Sequence, residues 1–127
     1  EPLQPHESDL INSLTDLVRF DAAVADDRLK IVVDAVAMTV AGDTIADYFA
    51  AFPDRIGHVH LADGAPAGHL AWGDGELPLG QYVRELQAFE YSGKITFEVF
   101  GPPNYRQDPI GVLRQCMAGY CTAVARR

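Results

Sequence analysis

The segment Arg55-Ile56-Gly57-His58-Val59-His60-Leu61-Ala62-Asp63 carries the strongest structural signal in the chain. Its central part, Ile56 to Leu61, is a short apolar run that predicts a buried strand. Two polar groups, His60 and Asp63, stand where this strand ends. A polar group at the end of a buried strand is a candidate for binding or catalysis. Polar groups at the ends of other strands could belong to the same site.

Two other segments have the same form. Leu29–Asp34 is an apolar run that ends on a carboxylate, and Lys94–Phe100 is a similar run that contains Glu98. Near-continuous apolar runs are typical of strands covered on both faces, and a helix-like segment separates each pair, so we predict parallel strands joined by crossovers. The ends of parallel strands lie on one face of the sheet, where ligands bind. We therefore expect Asp34, His60 and Glu98 to converge.

The rest of the chain alternates between helices and loops. Helical spacing of apolar residues predicts four helices: from Ser8 or Asp9 to about Asp21, from about Asp43 to Phe52, from about Leu79 to Glu90, and from Asp108 to about Ala125. A loop through Met38 and Gly42 is expected after the first strand. The longest irregular stretch, Asp63–Pro78, has the length typical of binding loops and lids. Trp72 within it either covers a pocket or packs.

These elements make three full βα units and the end of a fourth. A (β/α)₈ barrel needs about 250 residues, roughly twice the length of this chain. An open sheet of three parallel strands would leave both edges unpaired. We therefore predict an α/β fold in which residues 1–127 form a single domain, the C-terminal half (last four βα units) of a TIM barrel.

The composition excludes several partners. The net charge is −8 and the pI is about 4.7, which argues against nucleic acid and against an anionic membrane surface. Basic residues are scattered apart from Arg126-Arg127. No apolar run approaches the roughly 20 residues needed to span a bilayer, and Glu1–Gln4 does not resemble a signal peptide. We expect a cytoplasmic protein.

The cysteine and glycine residues argue against a zinc site formed by cysteines and against a bound nucleotide. Cys116 and Cys121 would point in different directions on one helix, which predicts buried free thiols and neither a disulfide nor a zinc site. The short Gly73-Asp74-Gly75 run does not open a helix after a strand, so we do not expect it to bind a nucleotide.

The polar residues at the strand ends each have a structural alternative. Glu98 lies in an apolar strand, where an unpaired buried carboxylate is costly, so a metal or another partner is expected. His60 could be a satisfied core group, and Asp34 could cap the next segment. Asp63 could bind substrate or anchor its own loop. His58 points to the same side as His60 but deeper, which indicates packing or support of His60.

Four motifs carry a family resemblance. Glu1-Pro2-Leu3, Val33-Asp34, His58-Val59-His60-Leu61-Ala62-Asp63 and Phe97-Glu98 resemble, in order, four strand ends of the xylose isomerase-like barrels. The resemblance is to the sugar (phosphate) isomerase and epimerase group that contains the tagatose and psicose 3-epimerases. Two further segments, Gly73–Leu79 and Tyr91–Glu98, resemble the family's connections around the seventh helix and the last strand.

The resemblance implies a site and a chemistry. In that family the four strand ends bind one divalent metal, which here would be held by Glu1, Asp34, His60 and Glu98. Three carboxylates and one imidazole suit Mn²⁺, Co²⁺ or Mg²⁺, and Zn²⁺ is compatible. Glu1 and Glu98 would act as acid and base on a small sugar or sugar phosphate through an enediolate. Glu7 matches a glutamate that contacts substrate.

The chain departs from the family around the substrate. Ala37 stands where the 3-epimerases have a histidine, three residues after the metal-binding aspartate. His69 is the nearest candidate for an arginine that they place in the loop after the metal-binding histidine. His6 stands where an aromatic side chain often lines the pocket. The expected substrate-binding residues are therefore Glu7, His6, Asp63 and His69, and 3-epimerisation of a ketohexose is less strongly indicated than the metal site.

Other functions remain open at this stage. Inosose dehydratases use similar barrels, and endonuclease IV-like proteins share the fold, although they need more histidines than the four present and a basic surface. A half-barrel could also be catalytically incomplete and act as a metal-binding or oligomerising module. In that case two copies could close one barrel by pairing their exposed edges, giving a homo-oligomer.

Overall fold

The computed structural model describes residues 1–125, and the Arg126-Arg127 pair lies outside the described residues. The elements, in chain order, are α1 (Leu14–Val24), β1 (Ile31–Asp34), α2 (Ala35–Ala41), α3 (Ile45–Ala51), β2 (Ile56–His60), α4 (Leu79–Ala88), β3 (Lys94–Thr96), α5 (Asn104–Gln107) and α6 (Pro109–Ala125). Within residues 1–125, no helix combines the length and the apolar character needed to cross a membrane.

The three strands form one parallel sheet in the order β1-β2-β3. Asp34 lies opposite His60, and His60 lies opposite Thr96, so the strands end at the same level. A parallel register of this kind requires a crossover between successive strands, and α2–α3 and α4 supply the two crossovers. The prediction of parallel strands joined by crossovers is confirmed.

The helices lie side by side over one face of the sheet. α1 packs on α3, α3 on α4, and α4 on α6, which is the order of the strands beneath them. Ile31, Val33 and Val59 point into the core between the two layers and are almost fully buried. On the opposite face Val32, His58 and His60 are half-buried, so residues 1–125 fully cover only one face of the sheet. The polar strand ends are therefore accessible.

Two helix predictions need correction. The first helix begins at Leu14 and not near Ser8, because the Ser13 hydroxyl oxygen caps it by accepting from the Asp16 N–H at 3.2 Å. The expected loop through Met38 is instead helix α2. It starts because Asp34 caps it, and it ends at Gly42, whose φ of 78° is a left-handed conformation that glycine adopts easily.

The last strand is shorter than predicted. β3 ends at Thr96, and Glu98 and Phe100 lie beyond it. The reason is a change of backbone partner: the Phe100 N–H donates to the carbonyl of His69 at 2.9 Å, so this segment pairs with the long loop.

The two cysteines on α6 differ in environment. Both are free, but only Cys116 is buried, and Cys121 is exposed. The prediction of two buried thiols is therefore wrong for Cys121, which the helix presents to solvent. Burial raises the pKa of the Cys116 thiol.

Candidate metal centre

Four side chains converge at the carboxyl ends of the strands. One ligand atom from each of Glu1, Asp34, His60 and Glu98 lies within 4.8 Å of all the others. The His60 Nδ1 atom is 3.0 Å from Glu1 Oε1, 3.2 Å from Glu98 Oε2 and 3.8 Å from Asp34 Oδ2. The register explains the meeting of Asp34 and His60, and the chain beyond β3 brings Glu98 to the same point.

Asp34 provides the test of whether a cation fits this cluster. Its side chain is 2% exposed, and its Oδ1 atom accepts a hydrogen bond from the Ala37 N–H at 2.7 Å. Its Oδ2 atom is buried, faces the cluster and has no hydrogen-bond partner among the residues that the structure describes. A buried carboxylate oxygen without a partner is costly, and three carboxylates around one imidazole are the donor set of a hard to borderline divalent ion. The residues present therefore fit a metal.

The electrostatics of Glu1 agree with a crowded acidic site. Burial raises the pKa of the Glu1 carboxyl, and the nearby Glu98 and Asp34 carboxylates raise it further, while His60 acts in the opposite direction. Like charges packed this closely repel one another, and a divalent cation among them would remove that repulsion.

His69 reaches the same site from the long loop. Its Nε2 atom is 3.4 Å from Asp34 Oδ2 and 3.5 Å from Glu98 Oε2, and the side chain is 9% exposed. Neither contact has good hydrogen-bond geometry in this structure. The Asp34 carboxylate beside the ring raises the pKa of His69, because its negative charge stabilises the protonated imidazole, and burial opposes this shift. Glu98 and Glu7 raise it as well.

His58 does not reach the cluster in the same way. Its Nε2 atom lies 2.8 Å from the Thr96 hydroxyl, and its ring meets the His60 ring edge-on at a centroid distance of 5.0 Å. The contact between the two rings restricts the orientation of His60. The structure thus places His58 as support for His60, as the alternation along the strand indicates.

Asp63 is committed to its own loop. Its Oδ1 atom accepts from the N–H groups of Gly64 and Leu77, both at 2.9 Å, and Oδ2 accepts from the Gly73 N–H at 2.8 Å. The side chain is buried, and its backbone pairs with Leu70 in both directions. Of the two roles considered for Asp63, this geometry supports the anchor of the loop.

The N-terminal segment holds the remaining candidates. Glu7 is exposed and accepts from the backbone N–H of Gln4 at 3.0 Å, and its negative charge contributes to the raised pKa of His69. His6 is exposed and is not part of the four-residue cluster. Sequence reasoning missed Gln4, which is buried with its Oε1 atom unpartnered. Its position directly after the Glu1-Pro2-Leu3 motif could have identified Gln4 as a candidate site residue.

The chain is similar to known sugar epimerases. It is 31% identical over 119 residues to the fructoselysine 3-epimerase of Escherichia coli O157:H7, a match that covers 92% of this chain and 42% of that enzyme. It is 27% identical over 100 residues to the D-psicose 3-epimerase of Enterocloster bolteae, covering 79% of this chain and 32% of that enzyme. The chain thus spans less than half the length of these relatives.

Solved structures show the same fold. A D-allulose 3-epimerase from Methylomonas sp. superposes with a TM-score of 0.71 at 19% identity, over 91% of this chain and 44% of that one. The IolI protein, solved with a bound zinc atom, gives a TM-score of 0.72 at 17% identity, over 91% of this chain and 45% of that one. At these identities the match establishes the fold, and the predicted half of a TIM barrel is confirmed.

The family follows from the match of the sequence to a family model. The model described as the xylose isomerase-like TIM barrel matches residues 1–116, which is most of the chain. The matched range contains all four residues of the cluster and both crossovers of the sheet. This chain therefore belongs to the xylose isomerase-like TIM barrel family.

Proposed function

We propose that the chain provides the metal-binding half of a divalent-metal-dependent sugar isomerase or epimerase. The observation that carries the proposal is the buried, unpartnered Oδ2 atom of Asp34 beside His60, Glu1 and Glu98. The similarity to sugar epimerases supports this chemistry over that of an endonuclease IV-like or inosose dehydratase-like enzyme. Mn²⁺, Co²⁺ and Mg²⁺ suit the donor set best, and Zn²⁺ is compatible.

The proposed chemistry is proton transfer next to a carbonyl. A bound divalent ion would polarise the sugar oxygens and stabilise the negative charge of an enediolate. One of Glu1 and Glu98 removes the proton from the carbon beside the carbonyl, and the electrons of the C–H bond move onto the carbonyl oxygen. The other glutamate returns a proton from the opposite face. The His60 Nδ1 atom lies 3.0 Å from a Glu1 oxygen and 3.2 Å from a Glu98 oxygen, so both carboxylates adjoin the same imidazole.

The proposed substrate is a small ketose or ketose derivative. The relatives named above act, by their names, on fructoselysine and D-psicose. His69 adjoins the metal ligands, and we propose that Glu7 contacts substrate hydroxyl groups. His6 stays a predicted pocket residue, and the cytoplasmic location stays a prediction.

Hydrogen exchange at carbon tests the proposal. The purified chain is loaded with Mn²⁺, its metal content and intact mass are measured on one sample, and it is incubated with ketoses in heavy water. We expect about one ion per chain and deuterium at the carbon next to the carbonyl. Glu98→Gln should slow this exchange by about 100-fold or more, because a general base contributes at least that factor.

The matched control is Glu90→Gln, the same chemical change at an exposed residue after α4. It should bind metal and exchange protons as the unaltered chain does. A chain that binds no ion after addition of Mn²⁺ or Co²⁺ contradicts the proposal. Exchange that persists unchanged in Glu98→Gln contradicts the assigned role of Glu98.

A further inference from the structure

One imidazole close to the proposed metal site, that of His69, does not belong to the four proposed ligands. His69 Nε2 approaches Asp34 Oδ2 and Glu98 Oε2, at 3.4 and 3.5 Å. These are the same two oxygens that face His60. His69 therefore contacts the metal-facing side of both carboxylates and not their outer sides, where a residue that only supports the ligands would bind.

The spacing is that of neighbouring ligands of one ion. Bonds of about 2.1 Å at right angles place adjacent donor atoms about 3 Å apart. His60 Nδ1, which belongs to the four-residue cluster, stands at 3.2 and 3.8 Å from the same two oxygens. The distances of His69 to these two oxygens are of the same size, although its nitrogen lies outside the group of four ligand atoms that are all within 4.8 Å of one another.

The loop holds His69 in this position. The antiparallel pair between Asp63 and Leu70 fixes the chain on one side, and the His69 carbonyl accepts the Phe100 N–H at 2.9 Å. The imidazole also packs edge-on against the Phe100 ring at a centroid distance of 5.4 Å. Because its backbone is tied to both the loop and the segment that carries Glu98, the side chain is preorganised toward the cluster.

We infer that His69 is a fifth protein ligand of the divalent ion, bound through Nε2. This inference rests on the metal site of the proposed function and adds a ligand to it. The donor set then has two imidazole nitrogens and three carboxylates, which favours Mn²⁺, Co²⁺ and Zn²⁺ over Mg²⁺, an ion that prefers oxygen ligands and retains several waters. The loop Asp63–Pro78 is thereby connected directly to the metal.

Counting coordinated nitrogens tests the assignment. The chain is produced with isotopically labelled histidine and loaded with Mn²⁺, and electron–nuclear double resonance counts the imidazole nitrogens bonded to the ion. We expect two in the unaltered chain and one in His69→Gln. Mn²⁺ affinity, measured by calorimetry, should fall by at least about tenfold in His69→Gln.

The control is Glu90→Gln, a change at an exposed residue that lies outside the cluster of ligands. It should retain two coordinated nitrogens. One nitrogen in the unaltered chain, with Mn²⁺ bound, overturns the role of His69 and leaves the proposed metal site standing. No Mn²⁺ bound by the unaltered chain overturns both. The count in the unaltered chain decides the matter even if His69→Gln does not fold.

Discussion

Asp34 shows how one residue serves both fold and site. Its Oδ1 atom caps α2 through the Ala37 N–H at 2.7 Å, while Oδ2 remains free toward His60 and His69. The capping bond fixes the carboxylate plane, so the second oxygen is aimed at the cluster without further support. Burial to 2% exposure makes this arrangement costly unless a cation is bound.

Two substitutions separate these roles. Asp34→Asn keeps a side-chain oxygen that can cap α2 but removes the negative charge, so metal binding should weaken by at least about tenfold. Asp34→Ala loses both functions and should be about 1 kcal/mol less stable than Asp34→Asn, the usual cost of a lost cap. Calorimetric titration with Mn²⁺ measures the loss of affinity, and urea unfolding without metal measures the difference in stability. Unchanged Mn²⁺ affinity in Asp34→Asn would remove Asp34 from the metal ligands.

The packing of α6 on the long loop is set by a glycine. Gly119 faces the indole ring of Trp72, and a Cβ atom at this position would overlap the ring. Trp72 is further tied to α6, since its carbonyl accepts from the Gln115 side chain at 2.9 Å. Of the two roles considered for Trp72, this geometry supports packing between the loop and α6.

Gly119→Ala should therefore destabilise the fold although alanine favours helices. Forcing the indole aside costs about 1–3 kcal/mol, more than the roughly 1 kcal/mol that alanine contributes in a helix interior. Gly80→Ala in α4 is the matched control, because its Cβ would meet only ordinary contacts at 3.6 and 4.0 Å. Urea unfolding should show a lower free energy of unfolding for Gly119→Ala and a higher one for Gly80→Ala. Stabilisation by Gly119→Ala would contradict the packing argument.

Across the whole molecule, exposed apolar side chains concentrate on the two terminal helices of the layer. α6 presents Ile110, Leu113 and Met117, which recur at helical spacing and form one stripe. α1 presents Val18, Phe20 and Val24 at the other end. The inner helices α3 and α4 have neighbours on both sides, whereas α1 and α6 each pack against a single helix of that layer. In the described part of the chain, β1 and β3 likewise each pair with β2 alone.

We expect the isolated chain to associate through these faces. Sedimentation equilibrium should give a mass that rises with concentration above the monomer mass of 13.8 kDa. Leu113→Glu should weaken association by about tenfold, because burying a leucine side chain contributes about 1.5–3 kcal/mol. Gln87→Glu adds the same charge on α4 and should leave the mass unchanged. A monomer at every concentration would contradict the expectation.

Much of the architecture could be predicted from local patterns. Strand β2 (Ile56–His60) was predictable because a short apolar run follows Pro53-Asp54, and helical spacing marked α4 in the same way. Helix α2 was not, because Ala35–Ala41 is apolar almost throughout and lacks a polar face from which a helical period can be read. Helix α2 starts where the Asp34 side chain turns back to accept from the Ala37 N–H. The packed structure decides this orientation.

The sequence by itself determined the α/β class, the parallel arrangement of the strands and the polar residues at their ends, because apolar runs and the helical segments between them can be recognised from neighbouring residues. Only the tertiary structure decided what those residues do. Asp63 anchors a loop because Gly64, Gly73 and Leu77 bring their N–H groups to it. His69 meets Asp34 and Glu98 because its backbone pairs with Phe100. Such contacts join residues far apart in the chain, and they form only when the helices and the sheet pack together.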